Sequence, residues 1–103
     1  MIFLDVQLAT TEENRAAFKA LLAETMAGSQ AEPGCLIYRF TADLENPSLF
    51  YLSELWESEG ALMDHARGAP FKNFLATLPS CGSVLKSVAR SGDLNPYSFR
   101  RPA

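Results

Sequence analysis

The chain opens on an alternation in which Ile2, Leu4, Val6 and Leu8 are separated by Phe3, Asp5 and Gln7. Period-two apolarity ended by a Thr pair predicts a strand with one packed face. The period then becomes helical. Phe18, Leu21, Leu22 and Thr25, with Ala17 behind them, form an apolar stripe between about Glu12 and Gly28, while Glu12, Glu13, Arg15, Lys19 and Glu24 carry charge elsewhere. Thr10 or Thr11 stands where an N-cap belongs, and Thr10 with Glu13 makes a capping-box pattern. Glu32-Pro33-Gly34 is a turn signal, since proline presets φ and glycine accepts the positive φ that follows. A β-former-rich run, Cys35 to Thr41, predicts a second strand with Leu36, Tyr38 and Phe40 on one face.

Asp43 to Ser48, containing Asn46-Pro47, reads as a hairpin connection to a third strand over Leu49 to Glu57. On that strand Phe50, Leu52, Glu54 and Trp56 alternate with Leu49, Tyr51, Ser53 and Leu55. Both faces are largely apolar, so both need cover, and helices cover only one side of a small open sheet. The other side is expected to meet a second subunit. Ser58 can cap a helix running to about Arg67 with Ala61, Leu62 and His65 on one face. Gly68 and Pro70 interrupt it, Phe71, Phe74, Leu75 and Leu78 continue as a short amphipathic stretch, and Cys81 to Ala89 predicts a fourth strand through Val84, Leu85 and Val88. Residues 1–92 form one domain in this reading, and 93–103 a tail able to lie across a neighbour through Tyr97 and Phe99. The order β-α-β-β-α-β specifies an α+β, ferredoxin-like fold, with a four-stranded antiparallel sheet and helices on one face.

Composition narrows the function classes. A chain of 103 residues, 48% apolar, holds one domain. It buries only roughly 60–70% of its unfolded surface, so a partner subunit would add useful burial. Twelve acidic against nine basic residues, with no Lys/Arg block longer than Arg100-Arg101, argue against nucleic-acid binding. The first residues lack a basic region followed by a signal-length apolar stretch, and no apolar run approaches ~18 residues, so the chain reads as soluble and cytoplasmic with no membrane partner. Cys35 and Cys81 are read as free thiols, and a single histidine excludes a zinc site with two His ligands in one chain. Phosphate-loop, dinucleotide and nucleophile-elbow motifs are absent.

The series Glu32-Pro33-Gly34-Cys35-Leu36-Ile37-Tyr38, then Asp43 with Asn46-Pro47, Phe50-x-x-x-Glu54-x-Trp56 and Ala61-x-x-x-His65 resembles the antibiotic biosynthesis monooxygenase family in residue kind, order and spacing. The resemblance implies a homodimer whose two sheets face each other as a dimeric α+β barrel, with a pocket between each sheet and its own helices. For members that are enzymes it implies oxidation of a quinol or other phenolic aromatic substrate by molecular oxygen with no flavin, metal or haem cofactor. In such a pocket His65 and Trp56 are the catalytic candidates. Imidazole titrates near neutral pH and suits a proton acceptor, while indole can stack on a ring or donate its N–H. Glu54 is the candidate for fixing the histidine tautomer or binding a substrate hydroxyl; Tyr38 is a second polar candidate, and Phe50, Leu62 and Phe71 are lining candidates.

Each has a plainer role as well. A lone histidine on an apolar helix face is often a core residue, Trp56 is the largest core candidate, and Glu54, if buried, needs a partner such as Arg39 or a backbone group. A Cys35–His65 nucleophile pair has no supporting signal. Two other functions fit the same residues. One is a haem-binding or haem-degrading relative with His65 as axial ligand, for which the first strand should carry an asparagine where it offers Asp5 and Gln7. The other is a non-catalytic dimer that binds a small hydrophobic metabolite.

Overall fold

The computed structural model describes residues 1–93 and 97–102. Its elements are β1 (Ile2–Thr10), α1 (Arg15–Gln30), β2 (Cys35–Ala42), β3 (Leu49–Trp56), α2 (Glu59–Arg67), α3 (Ala69–Thr77), a 3₁₀ turn (Leu78–Ser80) and β4 (Gly82–Ser91). The strands form one sheet in the order β2-β3-β1-β4, with every neighbouring pair antiparallel. This is the ferredoxin-like α+β fold.

Register converts the alternation of the sequence into two different faces. Ile2 pairs with Trp56, Leu4 with Glu54, Val6 with Leu52 and Leu8 with Phe50, while Tyr38 pairs with Glu54 on the other side of β3. Side chains at paired positions share a face. This face carries the helices: Val6, Leu8, Tyr38, Phe50, Leu52 and Trp56 are buried together with Phe18, Leu21 and Leu22 of α1 and Phe74 of α3. The opposite face holds Phe3, Ile37, Leu49, Tyr51, Leu55 and Val88, all at least partly exposed. No helix among the described residues covers it.

Several boundaries differ from the sequence reading. The capping box does not form, because β1 extends through Thr10, whose hydroxyl donates to the Cys81 carbonyl at 2.6 Å. Thr11 Oγ1 instead accepts from the Asn14 N–H at 3.2 Å, and the helix proper starts three residues late, at Arg15. Leu36 does not share a face with Tyr38 and Phe40: the register slips between Cys35 and Ile37, leaving Leu36 as the extra residue, half exposed. A second slip, between Gln7 and Leu8, leaves Leu85 unpaired on β4. One inserted residue reverses which side chains face inward, which is why the fourth strand shows no clean alternation. The expected tail includes residues 94–96 and 103, which lie outside the described residues; Tyr97 and Phe99 are exposed, with ring centroids 5.1 Å apart.

Candidate active site

The site forms where β3 turns into α2. Ser58 accepts the Ala61 N–H at 3.1 Å and starts the helix two residues after Trp56, so the helix folds back over the strand it has just left. His65 therefore lands on Trp56, with ring centroids 4.5 Å apart and planes 31° from parallel. The turn between α1 and β2 closes on the same spot. Gly34 has φ of +80°, its carbonyl accepts the Glu57 N–H at 2.8 Å, and a Cβ there would lie 2.5 Å from the Ala61 Cβ. Glycine is required at this position both by the backbone and by the close approach of α2.

This turn carries Glu32, whose Oε1 lies 2.6 Å from His65 Nδ1. A carboxylate only accepts, so the imidazole donates. On the other side of the ring, His65 Nε2 is buried without a hydrogen-bond partner, 3.9 Å from Glu54 Oε1. Glu54 in turn accepts the Trp56 indole N–H at 3.0 Å. The expected partner Arg39 is excluded by register, since it pairs with Ser53 and sits on the helix-free face. Glu54 is only 6% exposed. Burial pushes its pKa up, against the smaller opposing effects of the Trp56 N–H and of His65. Burial, followed by the Glu54 charge, also pushes the Tyr38 phenol upward. Cys35 is raised as well, by burial and then by Glu32 and Glu54, which is the reverse of an activated thiolate.

Next to Glu54, a cavity of about 240 Å³ lies between the sheet and α3. Leu4, Val6, Leu8 and Leu52 form its floor, and Phe71, Phe74 and Leu75 its roof. Tyr38 and Glu54 are the buried polar groups in its wall, while the exposed side chains of Leu75, Val84 and Ser87 mark the side open to solvent. The structure thus brings Tyr38, Glu54 and Phe71 to the cavity. His65 and Trp56 stand one layer behind, His65 being 5.5 Å from Tyr38 and 5.2 Å from Phe71 between ring centroids. Phe50 does not reach the cavity; it packs edge-on against Phe18, 5.3 Å away. Leu62 packs on the core without lining the cavity. Among the described residues, no group of three or more His, Cys, Asp and Glu side chains is placed to hold a metal ion.

Glu32 has no assigned role in the sequence reading beyond its place in a turn. Nothing local announces it, because its partner lies 33 positions away. Gly68 reads in the sequence only as a helix break, yet a Cβ there would lie 2.6 Å from Glu32 Oε2.

Fold and site together define a ferredoxin-like α+β domain with a largely apolar cavity between its sheet and α3. The chain belongs to the antibiotic biosynthesis monooxygenase family, whose sequence profile matches residues 1–77. Membership supports a monooxygenase-type role. No curated protein matches the chain in sequence. Among solved structures, a provisionally named antibiotic biosynthesis monooxygenase from Deinococcus radiodurans is similar at 22% identity, covering 97% of this chain and 100% of its own, with a TM-score of 0.85. A provisionally named family member from Nitrosomonas europaea is 20% identical over 89% of this chain and 98% of its own, at 0.81. A conserved protein of unknown function from Bacteroides thetaiotaomicron, described as a possible oxidoreductase, is 24% identical over 86% and 94%, at 0.80. At these identities the likeness establishes the fold.

Proposed function

We propose that this protein is a cofactor-independent monooxygenase that oxidises a small quinol or polyphenol with molecular oxygen. The observation that carries the reading is Glu54. It is a buried carboxyl facing an apolar cavity, held by an indole N–H and backed by an unpartnered imidazole nitrogen. A carboxyl with a pKa raised by burial is a better base toward a phenol than an exposed one. The cavity lies below the usual range of about 300–1,000 Å³ for drug-sized ligands, which favours one or two fused rings. A tetrapyrrole is poorly matched to that volume, and His65 has one nitrogen on Glu32 and the other turned to Glu54, so the haem reading finds less support.

In the proposed reaction Glu54 takes the phenolic proton, and His65 Nε2 behind it steadies the shared proton. The phenolate gives one electron to oxygen, and the resulting aryloxyl and superoxide radicals join through a carbon–oxygen bond at a ring carbon that carries hydrogen, ortho to the ionised oxygen in a 1,4-quinol or para to it in a catechol. Glu54 returns its proton to the peroxide. Loss of the hydrogen on that carbon and cleavage of the O–O bond then expel water and leave a second carbonyl, so that one quinol and one oxygen molecule become one hydroxyquinone and one water. The apolar floor and roof exclude bulk water and hold the ring. We also propose a homodimer joined through the helix-free face of the sheet, where six apolar side chains remain partly exposed.

Oxygen uptake with a panel of naphthohydroquinones and catechols, corrected for autoxidation, tests the reading. Turnover in the wild type that falls by about 10²-fold or more in folded Glu54→Gln supports it. Equal rates in the two proteins, or ligand-dependent thermal stabilisation without turnover, refute it.

A further inference from the structure

We propose that Glu32 is a positioning residue, and that the Glu32-Pro33-Gly34 turn serves to hold its carboxylate on His65 Nδ1 so that the imidazole keeps its proton there and presents a bare Nε2 to Glu54. Two carboxyl groups compete for this ring, Glu32 at 2.6 Å from Nδ1 and Glu54 at 3.9 Å from Nε2. Only the first is within hydrogen-bond distance. Among the described residues, the other titratable side chain stacked against the ring is Tyr38 of β2, while Trp56 and Phe71 supply apolar walls. Without Glu32, the Glu54 carboxylate would be the stronger pull and would draw the proton to Nε2, closing the lone pair that the cavity chemistry needs.

The turn is built as a bracket around this contact. The Glu32 N–H donates to the Ser29 carbonyl at 3.1 Å, and the Cys35 N–H donates to the Glu32 carbonyl at 3.2 Å, so its backbone is fixed on both sides. The bond from the Glu57 N–H to the Gly34 carbonyl ties the turn to the end of β3. At the other end of α2, Gly68 leaves the room that Glu32 Oε2 occupies. Two glycines, one before and one after the histidine helix, thus let the same carboxylate approach the ring. The Glu32 side chain keeps 19% of its surface exposed while that of His65 keeps 2%. Glu32 is therefore the member of the pair that meets water, and it does not line the cavity.

The tautomer belongs to the ligand-free protein, and only its use by Glu54 rests on the monooxygenase reading. The protein has one histidine, so its imidazole ¹⁵N resonances need no assignment. Wild-type protein at mildly alkaline pH is expected to show a protonated Nδ1 and a bare Nε2. Glu32→Ala, and Glu32→Gln where the alanine variant does not fold, should move most of the population to Nε2–H, because a carboxamide tolerates either tautomer and leaves the choice to Glu54. A wild-type ring protonated at Nε2, or at both nitrogens, overturns the proposal, and so does an unchanged tautomer in a folded variant. If quinol turnover exists, kcat in Glu32→Gln should fall about 10-fold or more with KM nearly unchanged, since Glu32 does not line the cavity. A wild type without turnover that still shows the Nδ1–H tautomer, lost in the variants, defeats the catalytic reading and leaves this one standing.

Discussion

Replacing Glu54 with glutamine separates the cost of the buried carboxyl from its use. Glutamine fills nearly the same volume and its amide oxygen can still accept the Trp56 N–H, so packing and the bond at 3.0 Å are kept while the ionisable proton is lost. The wild-type carboxyl has a folded-state pKa raised above its ordinary value by burial. Between the unfolded and folded pKa values the native state therefore binds more protons than the unfolded state, and stability falls as pH rises through that window. The contribution is complete below the unfolded value, near 4.5, and is gone above the folded one. A carboxyl whose proton affinity burial raises tenfold costs roughly 1–1.5 kcal/mol once it is ionised. For a domain of this size that is about 5–10 °C in Tm. Glu54→Gln carries no such cost. Thermal unfolding of both proteins from pH 4 to pH 8 should show the variant gaining on the wild type as pH rises, until the gain levels off above the folded pKa. The same variant should lose quinol turnover. A difference in Tm that stays constant across the range, or one that turns toward the wild type at higher pH, refutes the assignment of Glu54 as a carboxyl strained by burial.

Three further outcomes follow from the same geometry. Gly34→Ala forces a side chain into positive φ and against Ala61, and should lower stability by about 1–3 kcal/mol, read as a fall of roughly 1 M in the urea midpoint. Leu55→Asp puts a charge on the helix-free face between Phe3 and Ile37; sedimentation should show a dimeric wild type becoming monomeric, and a monomeric wild type would refute the proposed interface. Leu75→Trp narrows the open side of the cavity from a half-exposed position. It should raise KM severalfold with little change in kcat or Tm, whereas an unchanged KM would mean that substrate enters elsewhere.

Much of this architecture was legible in periodicity. The alternation of β1 and β3, the stripe of α1, and the breaks at Pro33-Gly34 and Gly68 are local signals, and they placed Glu54 and Trp56 on one face with His65 folding back toward them. What resisted reading was anything that depends on a partner far along the chain. The slips at Leu36 and Leu85 exist only relative to neighbouring strands, so the sequence pattern alone puts Leu36 on the face of Tyr38 and Phe40 and shows no alternation along β4. Thr10 stands where a cap belongs, but its hydroxyl donates to the carbonyl of Cys81, just before β4.

The site divides in the same way. Residue types along β3 and α2 were enough to single out an imidazole, an indole and a carboxyl, because their order and spacing are properties of the chain. Their division of labour was decided by packing. Phe50, on the same strand face as Glu54, turns out to support Phe18, since α1 covers that end of the sheet. His65 and Trp56 stand behind the cavity wall while Glu54 faces it. Glu32 reaches the imidazole from a turn 33 residues away, through space left by two glycines. Sequence alone determines which groups a short stretch can present. Only the tertiary fold decides which of them share a hydrogen bond, because that depends on distances set by every element packed between them.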